Sequence, residues 1–167
     1  MILRSSEGEE LYEFYYLGKK LKIAEKIDEN LEYITAKVED NSLIVELQEP
    51  LDLDTKELIR EHIYKTHSPA LFLNRVTHFS KKMKLNPTNV TFRKAKTRWG
   101  SCSNRNSISL NIALTALPRT LSDYVIIHEL AHIKHKNHSK AFWNLVAKYY
   151  PDYKEAKAEL KKFATIL

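Results

Sequence analysis

This chain of 167 residues is poor in the residues that build small special folds: it holds one Cys, three Gly and five Pro. A single Cys excludes a disulfide framework and a cysteine-based zinc knuckle. Stability must therefore come from packing, and a reducing cytoplasm is the expected home. Three Gly leave little material for the backbone nests and glycine-rich loops that cradle phosphates. No apolar run approaches the roughly 20 residues of a membrane-spanning helix; residues 124–127 are typical of the longest. Residues 1–10 hold one Arg and then run acidic, without the apolar centre of an export leader. The expectation is a soluble cytoplasmic protein without a membrane partner. Its 43% hydrophobic residues supply enough apolar mass for a packed core.

Acidic residues are also missing from the middle. Between Glu61 and Asp123 there is no Asp or Glu, yet these 61 residues carry 11 Lys and Arg, among them Lys81, Lys82, Lys84, Arg93, Lys94, Lys96 and Arg98. The formal charge of the whole chain is only +6, so the rest is net negative and the cations are concentrated. One expectation is an anionic partner, either a small anionic substrate or nucleic acid contacting residues 62–122. The other is a solvated basic helix face with basic edge strands that discourage aggregation.

The pattern along the chain is β first and helical later. Leu11-Tyr-Glu-Phe-Tyr-Tyr16, a turn at Leu17-Gly-Lys-Lys20 and Leu21-Lys-Ile23 read as one hairpin. A turn at Glu39-Asp-Asn-Ser42 before Leu43-Ile-Val-Glu-Leu47 reads as a second hairpin of a small meander. Helical spacing then takes over in 52–84, with Leu58, Ile59 and Ile63 on one side of Ser68-Pro69 and Phe72, Val76, Phe79 and Met83 on the other. A long helix or a broken pair fits. Val90-Thr-Phe92 and Ser107-Ile-Ser-Leu110 read as strands flanking a turn at Arg98-Trp-Gly-Ser-Cys102. A helix should open at Ser122-Asp-Tyr124, a second at Ser139 and a third at Pro151-Asp152. The fold class is α+β: a β-hairpin meander, a central helix with a small sheet, and a helical C-terminal half, expected as a single domain over 1–167.

The chemistry sits at His128-Glu-Leu-Ala-His132. Two His at i and i+4 lie one above the other on a helix face and can take two positions of one Zn²⁺, while the Glu beside them can act as general base for its water. From this composition the pattern would arise by chance roughly 0.03 times. A catalytic zinc needs a third protein ligand. His138 can serve only if the helix ends first, because ten residues of continuous helix would carry it about 15 Å away. Asn137 tolerates a helix end and Ser139 can cap the next helix, which allows that turn. His135 shares the helical face of His128 and His132 but lies about 10 Å along the axis. Glu155 or Glu159 on the last helix could supply a carboxylate instead. The long zinc-peptidase motif with a third His is not matched, since His135 stands where that motif has Gly.

These residues lie in a longer match. Arg98-Trp-Gly-Ser-Cys102, Leu110-Asn111, Asp123-Tyr-Val-Ile-Ile-His-Glu-Leu-Ala-His132, Asn137-His-Ser139, Phe142-Trp143 and Pro151-Asp-Tyr-Lys154 resemble the YgjP-like family of metal-dependent hydrolases, grouped with zinc metallopeptidases and related to SprT-like proteins. The resemblance covers roughly 92–160, and Tyr16-Leu-Gly-Lys19 is similar to the family's N-terminal part. It implies one Zn²⁺ per chain held by His128, His132 and His138, with Glu129 as catalytic base. It also implies a zincin-like part over 51–167 behind a β-rich 1–50.

Around this centre, Arg98 and Trp99 are candidates for bordering a substrate cleft. Arg98 could grip an anion or equally pair with Asp123 or Glu129; Trp99 and Cys102 read first as core, an anchor and a small buried hydrophobe. Gly100 would let a backbone approach closely. Phe142, Trp143 and Val146 at helical spacing read as core pressing the next helix onto the site. His62, His67 and His78 have no partner pattern. The expected function is zinc-dependent hydrolysis of a peptide. Alternatives are hydrolysis of a nucleotide phosphoanhydride, or a nucleic-acid-associated protein with a structural zinc; a peptidase held to protein on DNA by its basic face is the combination suggested by the SprT-like relatives.

Overall fold

The structure, a computed structural model, describes residues 3–4 and 13–166. Leu11 and Tyr12, assigned above to the first strand, lie outside them. The chain starts with β1 (Leu3–Arg4), β2 (Phe14–Tyr16), β3 (Lys19–Ile27), β4 (Thr35–Glu39) and β5 (Ser42–Leu47). Both expected hairpins form, β2 with β3 and β4 with β5. They do not join as a meander: β3 pairs with β5 in parallel, in the order β1-β3-β5-β4. Burial explains the difference. β5 hides Leu43, Val45 and Leu47, whereas β4 alternates polar Thr35, Lys37 and Glu39 outward, so the apolar strand takes the interior and the charged one the edge.

Next comes α1 (Leu53–Met83), one unbroken helix of 31 residues despite Pro69. Asp52 caps its start by accepting from the Thr55 N–H at 2.6 Å, and Lys84 in the left-handed conformation ends it. Pro69 removes one backbone donor. The buried Ser68 hydroxyl secures that turn, donating to the Tyr64 carbonyl at 2.6 Å and lying 2.9 Å from Thr115 Oγ1. The helix serves two cores. Its first half buries Ile59, Ile63 and Tyr64 against the N-terminal sheet; its second half buries Phe72, Val76, Phe79 and Met83 against the C-terminal elements.

A second sheet follows: β6 (Asn89–Arg93), β7 (Gly100–Cys102) and β8 (Ser107–Asn111). β8 is central, parallel to β6 and antiparallel to β7. The stretch expected as a turn at 98–102 thus contains a strand. A 3-10 turn (Ile112–Ala116) leads to α2 (Arg119–Lys134), which starts three residues before the expected Ser122. Ser122 caps nothing; it is buried and its hydroxyl donates to the Leu114 carbonyl at 3.2 Å. α3 (Lys140–Tyr149) begins at Ser139, whose hydroxyl accepts from the Phe142 N–H. α4 (Tyr153–Leu160) begins after Asp152, although that side chain makes no capping bond. Among the described residues no helix is long and apolar enough to cross a membrane.

One docking point ties the two sheets' regions together. Leu17 and Gly18, at φ +49° and +82°, form the β2–β3 turn, and their N–H groups donate to the carbonyls of Thr115 and Ala116 at 2.7 and 2.8 Å. A Cβ on Gly18 would meet Pro118 Cγ at 2.7 Å. Gly18→Ala combines that collision with a left-handed backbone and should destabilise the fold by about 2 kcal/mol, read as a lowered midpoint in urea unfolding.

Candidate metal centre

α2 is clasped on nearly every side. Leu121, Tyr124, Val125, Ile126, Ile127, Leu130 and Ala131 are buried, which leaves only a narrow face for His128 and His132. The helix stops at Lys134, the His135 N–H donating to the Ala131 carbonyl at 3.0 Å, and the chain turns back before Ser139 opens α3. The turn returns His138 to the other two. Ligand atoms of His128, His132 and His138 lie within 4.8 Å of one another, and the Nε2 atoms of His128 and His138 are 3.0 Å apart. Two nitrogens sharing a tetrahedral zinc stand about 3.3 Å apart, close to the spacing of His128 and His138, and His132 completes a set that could hold one ion.

Tautomer and protonation favour a lone pair facing inward. His132 Nδ1–H donates to the His135 carbonyl at 3.0 Å, which leaves its Nε2 free. Burial beside His132 and His138 pushes the His128 imidazole down to about 3, so it stays neutral. Burial also lowers the His132 imidazole. Phe142 packs under all three rings, 4.9, 4.5 and 4.9 Å from His128, His132 and His138. Trp143 stacks on His138 at 5.5 Å and Tyr153 on Trp143 at 5.1 Å. The core role expected for Phe142 and Val146 is met; Trp143 is half-buried and adds a ring against the exposed His138.

The other third-ligand candidates stand elsewhere. His135 contributes its carbonyl to His132, and Glu155 and Glu159 remain exposed on α4, outside the cluster. Glu129 is buried at 6% exposure. Burial pushes its carboxyl up to about 8, opposed by the charge of Arg98. Gly100 makes that burial feasible: a Cβ there would lie 2.7 to 2.9 Å from Glu129 Cγ, Oε1 and Cδ. The close approach expected of Gly100 is therefore made to the Glu129 side chain.

Arg98 does not pair with Asp123, because Arg75 grips that carboxylate with two bonds of 2.8 and 2.6 Å. Arg98 is exposed; Trp99 and Cys102 pack half-buried on the main core. His67 finds the Tyr16 hydroxyl at 2.7 Å. Asn111, quoted above only as part of the family resemblance, proves to have a structural role of its own. Buried at 2% exposure, its amide donates to the carbonyls of Ala95 and Arg98 at 2.7 and 2.9 Å, and its N–H donates to that of Trp99 at 2.8 Å. A polar amide closing an apolar strand run was the available signal. Of the 11 cations in 62–122, Arg75 and Lys94 pair with Asp123 and Glu61, and the others except these are exposed.

The profile of the family described as YgjP-like, metallopeptidase domain, matches residues 4–163. Two solved structures resemble part of the chain. The crystal structure of the metallopeptidase zymogen of Pyrococcus abyssi abylysin is 27% identical, over 53% of this chain and 90% of that one, with a TM-score of 0.49. That of Methanocaldococcus jannaschii jannalysin is 25% identical, over 56% and 95%, with a TM-score of 0.48. No curated protein matches the chain.

If the three imidazoles are the metal ligands, His138→Ala should lose most bound zinc, while His135→Ala should keep about one ion per chain because only the carbonyl of residue 135 is used. Metal analysis of the purified variants checks both.

Proposed function

The chain belongs to the YgjP-like metallopeptidase family, and from that premise we propose that it is a zinc-dependent peptidase in which His128, His132 and His138 hold the metal and Glu129 is the general base. A single observation carries this reading: three imidazoles converge at the helix that also carries the buried Glu129 carboxyl. Bound Zn²⁺ would supply Lewis acidity at a water and at the scissile carbonyl.

The chain's own residues do the rest. A carboxylate oxygen of Glu129 takes the proton of the attacking water and returns it to the leaving nitrogen. Its burial raises its proton affinity, which suits a base that must take a proton, and the charge of Arg98 opposes that rise. Gly100 admits the carboxylate, and Asn111 holds the backbone of 95–99 in place ahead of β7. β7 is the terminal strand of its sheet, so an extended peptide can pair along it next to α2.

The alternatives have less support. Gly18 faces Pro118 and Gly100 faces Glu129, so neither offers open backbone to a phosphate. A purely structural zinc would leave the buried carboxyl without a task. Nucleic acid remains a second partner on one observation, the exposed cations along α1 and β6; it would bind with strong salt dependence.

Glu129→Gln should keep its zinc and lose about 10³-fold in kcat on peptides, with nucleoside triphosphates untouched by either protein. Zinc content beside a peptide and nucleotide assay reads this; full turnover by Glu129→Gln would refute the mechanism. Gly100→Ala should also retain metal but lose activity, by displacing the carboxylate.

A further inference from the structure

The small sheet has two faces. Ile108 and Leu110 point to the core, and Gly100, in register with Leu110, meets Glu129 on that same inner side. Side chains alternate along a strand, so Ser109 and its neighbour Ser101 lie on the outer face, as does Arg93 opposite Asn111. There, with Arg98, they line a small recess that opens to solvent.

The lining has one sign. Arg93 and Arg98 bring guanidinium groups, Ser101 and Ser109 bring hydroxyls, and no carboxylate borders the recess. Arg93 donates to the Ser101 hydroxyl at 3.5 Å, and neither arginine forms an ion pair with a described carboxylate. Ser109 Oγ is buried without a hydrogen-bond partner among the described residues, a state that proteins normally avoid unless a water or ligand completes it. Two forked donors and two hydroxyls around one small space are the chemistry that receives a carboxylate or a phosphate.

Position connects the recess to the reaction. An extended peptide paired with β7 presents its side chains alternately to the inner face, where Glu129 stands, and to the outer face, where the arginines stand. Resting on the peptidase reading above, we propose that the recess bordered by Arg93, Arg98, Ser101 and Ser109 is an anion subsite that takes a carboxylate or phosphate side chain next to the scissile bond, so that anionic peptides are the preferred substrates.

Two measurements test it. Peptides differing at one position beside the cleaved bond, with Ala, Lys, Glu or phosphoserine, are compared by kcat/KM. The anionic versions should exceed the Ala version about 10- to 100-fold through a lower KM, and the ratio should fall towards one in Arg98→Ala, Arg93→Ala and, in part, Ser109→Ala. Whether Glu or phosphoserine gains more identifies the group. Separately, inorganic phosphate titrated into the whole protein should shift the amide signals of residues 101 and 109 saturably, and not in the Arg93→Ala/Arg98→Ala double variant. Peptides cut with no anionic advantage overturn the subsite and leave the peptidase standing. Saturable phosphate binding without any peptide cleavage supports the subsite while the peptidase reading fails. Neither cleavage nor saturation overturns both.

Discussion

The candidate site depends first on the close approach of β7 to α2. At Gly100 the strand passes so near the helix that the space of a single methyl group is taken by the Glu129 side chain. Packing of this kind fixes three things together. It dries the carboxylate, it sets the rotation of α2 and hence the direction of His128 and His132 one turn apart, and it puts the residues before β7 beside the same centre. A helix free to roll by even part of a turn would leave two histidines on a surface with nothing to converge on.

The third imidazole depends on a different kind of restraint. His138 lies on a connector between two helices, and the connector is held by polar bonds more than by burial. Lys136 Nζ donates to the Ser103 carbonyl at 2.9 Å and to Asn106 Oδ1 at 2.6 Å, tying the connector to the β7–β8 hairpin. From the far side, the stack of Trp143 and Tyr153, with Lys157 4.8 Å above the Trp143 ring, closes against His138. Each of these restraints reaches the site from a separate element, so its accuracy is a property of the whole C-terminal half.

Much of this was legible in the residues. The i,i+4 spacing marked the two helical imidazoles, and the capping pattern of Asn137-His-Ser139 marked the break that brings the third one back. Long-range pairing was not legible. A strand's partner depends on which neighbour hides its apolar positions, which is why β5 beside β3 and the extended Gly100–Cys102 escaped a reading of local pattern. Pro69 left a long helix and a broken pair both open; the long helix forms, with the buried Ser68 hydroxyl and two flanking cores outweighing the local penalty. Arg98 had two acidic candidates further along the chain, Asp123 and Glu129, and the fold gave the first of them to Arg75 instead.

The hairpin turn at Leu17 and Gly18 bonds to residues about a hundred positions later, just ahead of α2. Contacts of such sequence separation close large loops, and a growing chain cannot make them until its later part has emerged. Until residues 115 and 116 have emerged, the donors of this turn lack their seat, and the start of α2 lacks its clasp. Shortening the chain at either side of this clasp leaves the other side with unmet backbone donors or acceptors. In the timing of synthesis, this makes the histidine cluster a product of the whole chain rather than of its last third.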